Sequence, residues 1–246
     1  MQHDDIATAR RVTRADIADL PAPARRYLEF AGVVGRPRDV AFEATLMGWF
    51  RLRPERRWTT CHVEQRTDAA TVTRDFRMRL ALAHLIPVQA TDTYRDGRGR
   101  MTARVLGLFP VADGEGPEFD SGELVALLDD ALLLAPSMLL AMPVEWTAVD
   151  DDTFDVTLTD GGVSVTGRVT VDARGAVRDF TSRDRWASLP EGVVATPWST
   201  PVDGWILVRG RLRPRRATAV WHLPDGPFTY AQFDFAKAEI TFHAEA

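Results

Sequence analysis

The chain has 246 residues, 45% of them hydrophobic and 26% charged, with a formal net charge of −5. That length and balance allow a hydrophobic core without disulfides or metals, and the negative charge argues against nucleic-acid binding, which relies on a basic footprint. The single cysteine, Cys61, excludes an intramolecular disulfide. Lys237 is the only lysine, which reads as coding bias more readily than as anion recognition. No run approaches the roughly 18 apolar residues needed to cross a bilayer. Met1–Arg14 is polar and lacks the apolar core of an export signal, so a cytoplasmic protein is expected.

Residues 1–38 read as a helical N-terminal segment. Thr13 can cap a short turn over Arg14–Asp19, and a second helix runs from about Pro23 to Ala31, with Gly32 as its stop. Tyr27, Leu28 and Ala31 share one face of it. From Asp39 the period changes to two. Val40, Phe42, Ala44 and Leu46 alternate with Ala41, Glu43, Thr45 and Met47, which reads as a half-buried strand. Further strands are expected at Trp58–Arg66, Val72–Leu80, Val88–Arg95 and Arg100–Leu108, the last two joined by the hairpin signal Asp96-Gly97.

Asp113–Gly122 reads as a loop and 121–135 as the main helix, capped by Asp120 or Ser121 with Glu123 completing a capping box. Leu124, Leu127, Leu128, Ala131 and Leu132 repeat at helical spacing, and Leu133 and Leu134 make the second half apolar nearly all round. Such a helix should be enclosed. Strands resume at Val144–Val149, Phe154–Thr159, Val163–Val171, Val177–Arg185, Gly204–Leu212, Thr218–Leu223 and Phe228–Phe242. The expected fold class is therefore mainly β with helices (α+β). One domain over 1–246 has a curved antiparallel sheet, or open half-barrel, over 39–246 wrapped around the central apolar helix.

Leu20-Pro21-Ala22-Pro23-Ala24-Arg25-Arg26-Tyr27-Leu28 resembles the LPxPxxRYL start of an uncharacterised bacterial family. Asp92-Thr93-Tyr94 with Gly97-Arg98-Gly99-Arg100-Met101, Leu106–Val111, Gly122-Glu123-Leu124, Pro197-Trp198 and Trp221–Tyr230 follow in the same order. The resemblance covers about Leu20 to Phe242. It implies a fold similar to the lipoprotein carriers of the LolA/LolB type, whose half-barrel holds acyl chains. Those carriers are exported and this chain shows no export signal, so lipoprotein transport itself is not implied. Leu133-Leu134-Ala135-Pro136 also departs from the more aromatic helix end of the family.

No catalytic or metal motif stands out. The histidines His3, His62, His84, His222 and His243 form no HxxxH or HExxH grouping. Cys61 and His62 are strand neighbours that point to opposite faces. The glycine pairs Gly97/Gly99 and Gly114/Gly116 lack phosphate-loop context, and Asp150-Asp151-Asp152 suits a solvated turn better than a calcium site. No metal and no cofactor are expected. Arg77 with Arg79, and Arg183 with Arg185, are spaced to share a strand face and to grip an anionic headgroup by forked hydrogen bonds if they point inward. Seven tryptophans suit a core or a pocket wall.

The expected function is to bind an apolar or amphipathic small molecule, or a lipid, in a β-lined cavity. Candidate contacts are Arg77, Arg79, Tyr94, Leu128, Leu132, Arg183, Arg185, Trp186, Trp198 and Tyr230. Two alternatives remain open. One is a cofactor-independent enzyme using Tyr94, Arg183, Asp184 and Arg185 in the same hollow. The other is an interaction module that forms a homodimer through strand edges or tryptophan patches.

Overall fold

The computed structural model describes residues 10–82, 85–189 and 192–245. His3, His84 and the polar reading of the first nine residues lie outside them.

One antiparallel sheet of 14 strands dominates. Its first meander is β1 (Asp39–Phe50), β2 (Thr59–Asp68), β3 (Thr73–Leu82), β4 (Ile86–Arg95), β5 (Arg98–Val105) and β6 (Phe109–Glu115). Helix α2 (Pro117–Leu134) then crosses to the far edge. The second meander is β7 (Val144–Ala148), β8 (Thr153–Asp160), β9 (Val163–Val171) and β10 (Val177–Ser182). A separate hairpin, β11 (Trp186–Leu189) and β12 (Gly192–Ala195), is followed by β13 (Trp198–Ser199), β14 (Val202–Val208), β15 (Arg211–Leu223) and β16 (Gly226–Ala244). The sheet order is β6-β5-β4-β3-β2-β1-β16-β15-β13-β10-β9-β8-β7, with β14 on the side of β15. The last strands thus join the two meanders, and α2 links the two free edges.

The helix shows that the sheet is curved. Strands β5 and β9 stand nine neighbours apart in the sheet order, roughly 43 Å along a flat sheet at about 4.8 Å per strand. Both contact α2, whose diameter with side chains is only about 10–12 Å. The sheet must therefore curl around it as a half-barrel. At one end the two meanders meet. The β4–β5 turn places Asp96 and Gly97 at φ 54° and 73°, and a Cβ on Gly97 would lie 2.8 Å from the Cα of Gly161 in the β8–β9 turn. Only glycine permits that approach. Beside it, Tyr94 Oη donates to Asp160 Oδ2 at 2.9 Å.

The N-terminal helix α1 (Ala22–Phe30) buries Tyr27 and Leu28 completely, and the Tyr27 hydroxyl donates to the carbonyl of Leu132 in α2. The turn before it spans only Ala15–Ile17, and Thr13 is not its cap residue. Instead the Thr13 N–H and hydroxyl both donate to Asp16 Oδ2 at 2.7 Å. Near the C-terminal end of α2, Asp39 accepts two hydrogen bonds from Arg211, at 2.7 and 2.9 Å, and one from Ser137 Oγ at 2.7 Å. This ties β1, β15 and the turn after α2 together.

Among the boundaries that differ from the sequence reading, three have a clear physical cause. Phe109–Glu115 is a strand where a loop from Asp113 was expected. It is an edge strand with mostly exposed residues, so it lacks the alternation that marks a half-buried strand, and the Arg100–Asp113 pair at 2.8–2.9 Å braces it. Helix α2 starts at Pro117 rather than 121, with Gly116 before it. Asp120 caps nothing and instead accepts from the Gly99 N–H at 2.8 Å and from Arg98 at 3.0 Å. Gly204–Leu212 is not one strand, because Arg209 and Gly210, at φ 49° and 79°, turn the chain between β14 and β15.

Candidate functional site

Helix α2 is buried nearly throughout, yet it carries three carboxyl groups past its first turn: Glu123, Asp129 and Asp130. At 100° per residue, Glu123, Ala126, Asp129, Asp130, Leu133 and Leu134 fall within one stripe roughly 140° wide. All six border a cleft between the helix and the inner face of the sheet. The sheet contributes Phe76 and Met78 from β3, Asp92 from β4, Trp198 from β13, and Phe233 and Phe235 from β16. Small residues make the space: Ala126 on the helix faces Ala217, Ala219 and Ala231 on β15 and β16. The cavity volume is about 130 Å³, and with its open mouth the cleft holds about 800 Å³ of empty space. An enclosed cavity of about 150 Å³ accepts benzene, so a cleft of this cavity volume suits one ring or a short branched chain.

The polar floor is built by strand parity. On β3, Arg74 shares the inward face with Phe76 and Met78. Its guanidinium reaches Asp130 Oδ2 at 2.6 Å and Glu123 Oε2 at 3.0 Å, and lies 4.7 Å from the Phe76 ring centre. Gln65 Nε2 also donates to Asp130 Oδ2, at 2.6 Å. Asp129 takes a hydrogen bond from Thr200 Oγ1 at 3.0 Å on Oδ2. Its Oδ1 is buried without a partner, as are Asp92 Oδ1 and Arg185 Nε. Arg185 lies over Trp198 at 4.4 Å and Trp221 at 5.5 Å. The Trp198 indole N–H donates to Tyr230 Oη at 3.0 Å.

Burial raises three of these carboxyl groups above their ordinary range. Glu123 is pushed up to about 7 by burial and by Asp92, against the pull of Arg74 and Arg185. Asp129 is raised well above the ordinary carboxylate range by burial and then by Asp130. Asp92 is raised by burial in spite of Arg74 and Arg185. Burial would lower Arg74, but Asp130, Glu123 and Asp92 outweigh it and hold the guanidinium above its usual value. The arrangement can therefore accept or release protons near neutrality inside an apolar wall.

Of the residues singled out from sequence, Arg185, Trp198 and Tyr230 line this cleft. Arg77 and Arg79 point the other way. They alternate with Phe76 and Met78, which claim the inner face, so Arg79 pairs with Glu64 on the convex surface and Arg77 lies in a shallow depression there. Tyr94 is fully buried behind the joined turns and is held by Asp160. Leu128 and Leu132 are core residues on the opposite side of α2, with no exposed surface.

Arg183 is exposed and Asp184 accepts from the Thr166 N–H at 2.7 Å, because β10 ends at Ser182 and the chain bends there. The strand spacing assumed for Arg183 and Arg185 does not apply beyond that bend. Trp186 is 37% exposed and its indole N–H donates to Ser121 Oγ at 3.2 Å. Sequence reasoning missed Arg74, Asp92, Glu123, Asp129 and Asp130. The signal was present: Arg74 and Asp92 each stand on the apolar parity of their strands, and the three helix carboxyls interrupt an otherwise apolar segment.

Two other features do not join this site. Ser199 Oγ lies 2.9 Å from His222 Nε2. On β13, however, Ser199 points away from the face that Trp198 presents to the cleft, and no hydrogen bond from the other ring nitrogen to a carboxylate is found among the described residues. No group of three or more His, Cys, Asp or Glu among the described residues is arranged to hold a metal ion.

No curated protein matches the chain. Among solved structures, the chain is similar to the LolA superfamily protein NE2245 from Nitrosomonas europaea, with 9% identity over 91% of this chain and 94% of that one, at a TM-score of 0.42. It is also similar to a DUF1329 family protein from Desulfovibrio piger, with 9% identity over 92% of this chain and 93% of that one, at a TM-score of 0.41. Residues 10–233 match the family of unknown function DUF6544, and the chain belongs to that family.

Proposed function

We propose that this protein binds a small amphipathic molecule in the cleft beside α2, with the apolar body against Phe76, Leu133, Trp198 and Phe233 and the polar end on the charged floor. One observation carries this reading. Seven side chains among the described residues hold a buried polar atom without a partner, and three of them, Asp92, Asp129 and Arg185, converge on this one cleft. Such atoms cost about 1–3 kcal/mol each and are rare in folded proteins. A guest that supplies their hydrogen bonds recovers that cost. The cavity volume favours a ring or short chain, and a long acyl chain would have to leave through the open mouth.

Binding of the neutral dye Nile red tests the reading. Ala126→Phe fills the cleft from the helix side and should abolish dye binding while circular dichroism stays unchanged. Equal dye binding by both proteins would overturn it.

A second reading is favoured by Glu123, which sits near neutrality beside Arg74 and touches the same cleft, as a general acid or base would. Native mass spectrometry of the purified protein separates the two readings. If Glu123 performs chemistry, the molecule retained by Glu123→Gln differs in mass from that retained by the unaltered chain. If the protein only binds, the two are the same.

A further inference from the structure

We propose that the molecule held in this cleft is cationic at its polar end: a protonated amine on a compact apolar body. The inference rests on reading the cleft as a binding site, and it reverses the expectation that arginines there would select an anion. Four carboxyl groups border the cleft, Asp92, Glu123, Asp129 and Asp130, against two guanidiniums, Arg74 and Arg185. Of the two, only Arg74 is ion-paired among the described residues. Arg74 is spent on Glu123 and Asp130, and the Arg185 guanidinium lies against two indole rings.

The buried atoms left unpaired at the cleft are mainly acceptors. Asp129, only 6% exposed, has Oδ1 free, and so does Asp92. Among the described residues that border the cleft, Arg185 Nε is the one buried donor without a partner. An ammonium group can donate to an unpaired carboxyl oxygen and also meets the faces of aromatic rings in the wall, which attract cations. A carboxylate or phosphate guest could pair with Arg185, but it would stand among four carboxyl groups whose ionisation its charge opposes.

Binding then moves protons. Glu123 faces Arg74 from β3, Asp92 from β4, Asp130 from its own helix and Arg185 from the segment after β10. An added cation among these groups favours the ionised form of Glu123, so the guest enters as that carboxyl releases its proton. Affinity for an amine, itself protonated up to roughly pH 10, should rise with pH through about 7, where Glu123 titrates.

The test compares three probes of matched shape by isothermal titration calorimetry at pH 8: 4-phenylbutylamine, 4-phenylbutan-1-ol and 4-phenylbutanoate. The amine should bind about tenfold tighter than the alcohol, and the carboxylate weaker than the alcohol. Heats measured in two buffers of different ionisation enthalpy should show proton release with the amine alone. Asp129→Asn keeps the shape and the Thr200 contact, and should reduce the amine's advantage to less than about threefold while leaving alcohol affinity within about twofold. Asp92→Asn removes the other unpaired carboxyl oxygen without touching Thr200 and carries the same expectation. Carboxylate binding as tight as amine binding overturns the proposal. Equal binding of all three also overturns it but leaves the cleft as a binding site. Failure of all three to bind removes both.

Discussion

Along α2, Leu124, Leu127, Leu128, Ala131 and Leu132 are 0% exposed in the core, whereas Glu123, Ala126, Asp129, Asp130, Leu133 and Leu134 border the cleft. Solvent exposure barely separates the two sides, since Glu123 and Asp129 are themselves only 5% and 6% exposed. What separates them is packing and charge. One side meets dense apolar neighbours. The other meets empty space and a network of carboxyls and guanidiniums that leaves atoms unpaired. A helix can therefore be buried all round and still be two-faced, with the second face marked by polar groups whose partners are incomplete.

The largest effect that would test this contrast is expected from Arg74→Met. It leaves Glu123 and Asp130 without their shared cation, and loss of one partner from a buried pair costs about 3–5 kcal/mol. Urea unfolding at pH 8 reads the loss, which should shrink at lower pH as Glu123 takes up a proton. Arg79→Ala, on the same strand but outside, should change stability by less than about 0.5 kcal/mol. Equal losses at the two arginines would erase the distinction between the faces.

Next in size is Leu128→Ala on the packed side, expected to cost about 3 kcal/mol through the cavity it leaves. Nile red affinity should be unchanged, because Leu128 does not border the cleft. A stability loss accompanied by lost dye binding would show that the two sides are not independent.

The smallest of the three effects is a pH dependence. Glu123 holds its proton more tightly folded, at about 7, than at its ordinary value of 4.5. The folded state therefore binds more protons between those values. The stability this contributes is fully present below about 4.5 and is lost as pH rises through about 7. Glu123→Gln should flatten that part of the curve. A stability profile between pH 4.5 and 7 identical in the two proteins would remove the proton from the account.

Much of the fold was legible because periodicity is a local record of burial. Val163–Val171 is a strand with the expected ends, and Val165, Val169 and Val171 face the core as their alternation requires. The apolar run after Glu123 is the enclosed helix. The Asp96-Gly97 step is the hairpin turn. Phe109–Glu115 was not legible, because an exposed edge strand has no buried face to imprint on its sequence. The site was legible only in part. Arg77 and Arg79 attracted notice as a pair, although the apolar residues between and beside them assign both to the outside. Arg74, on the inner parity, passed as one arginine among many.

The sequence alone determined which residues of the half-buried strands and of the long helix are turned inward, since that depends only on the two periods of the backbone and on the cost of leaving apolar groups in water. It placed Arg74, Asp92 and the three helix carboxyls on inward positions without saying that they meet. Their meeting was decided by the closure of the sheet around α2, which brings β3, β4, β13, β15 and β16 to one side of the helix. Pairing among charges and the absence of a partner for Asp129 Oδ1 are relations between segments up to a hundred residues apart, and no local pattern encodes them.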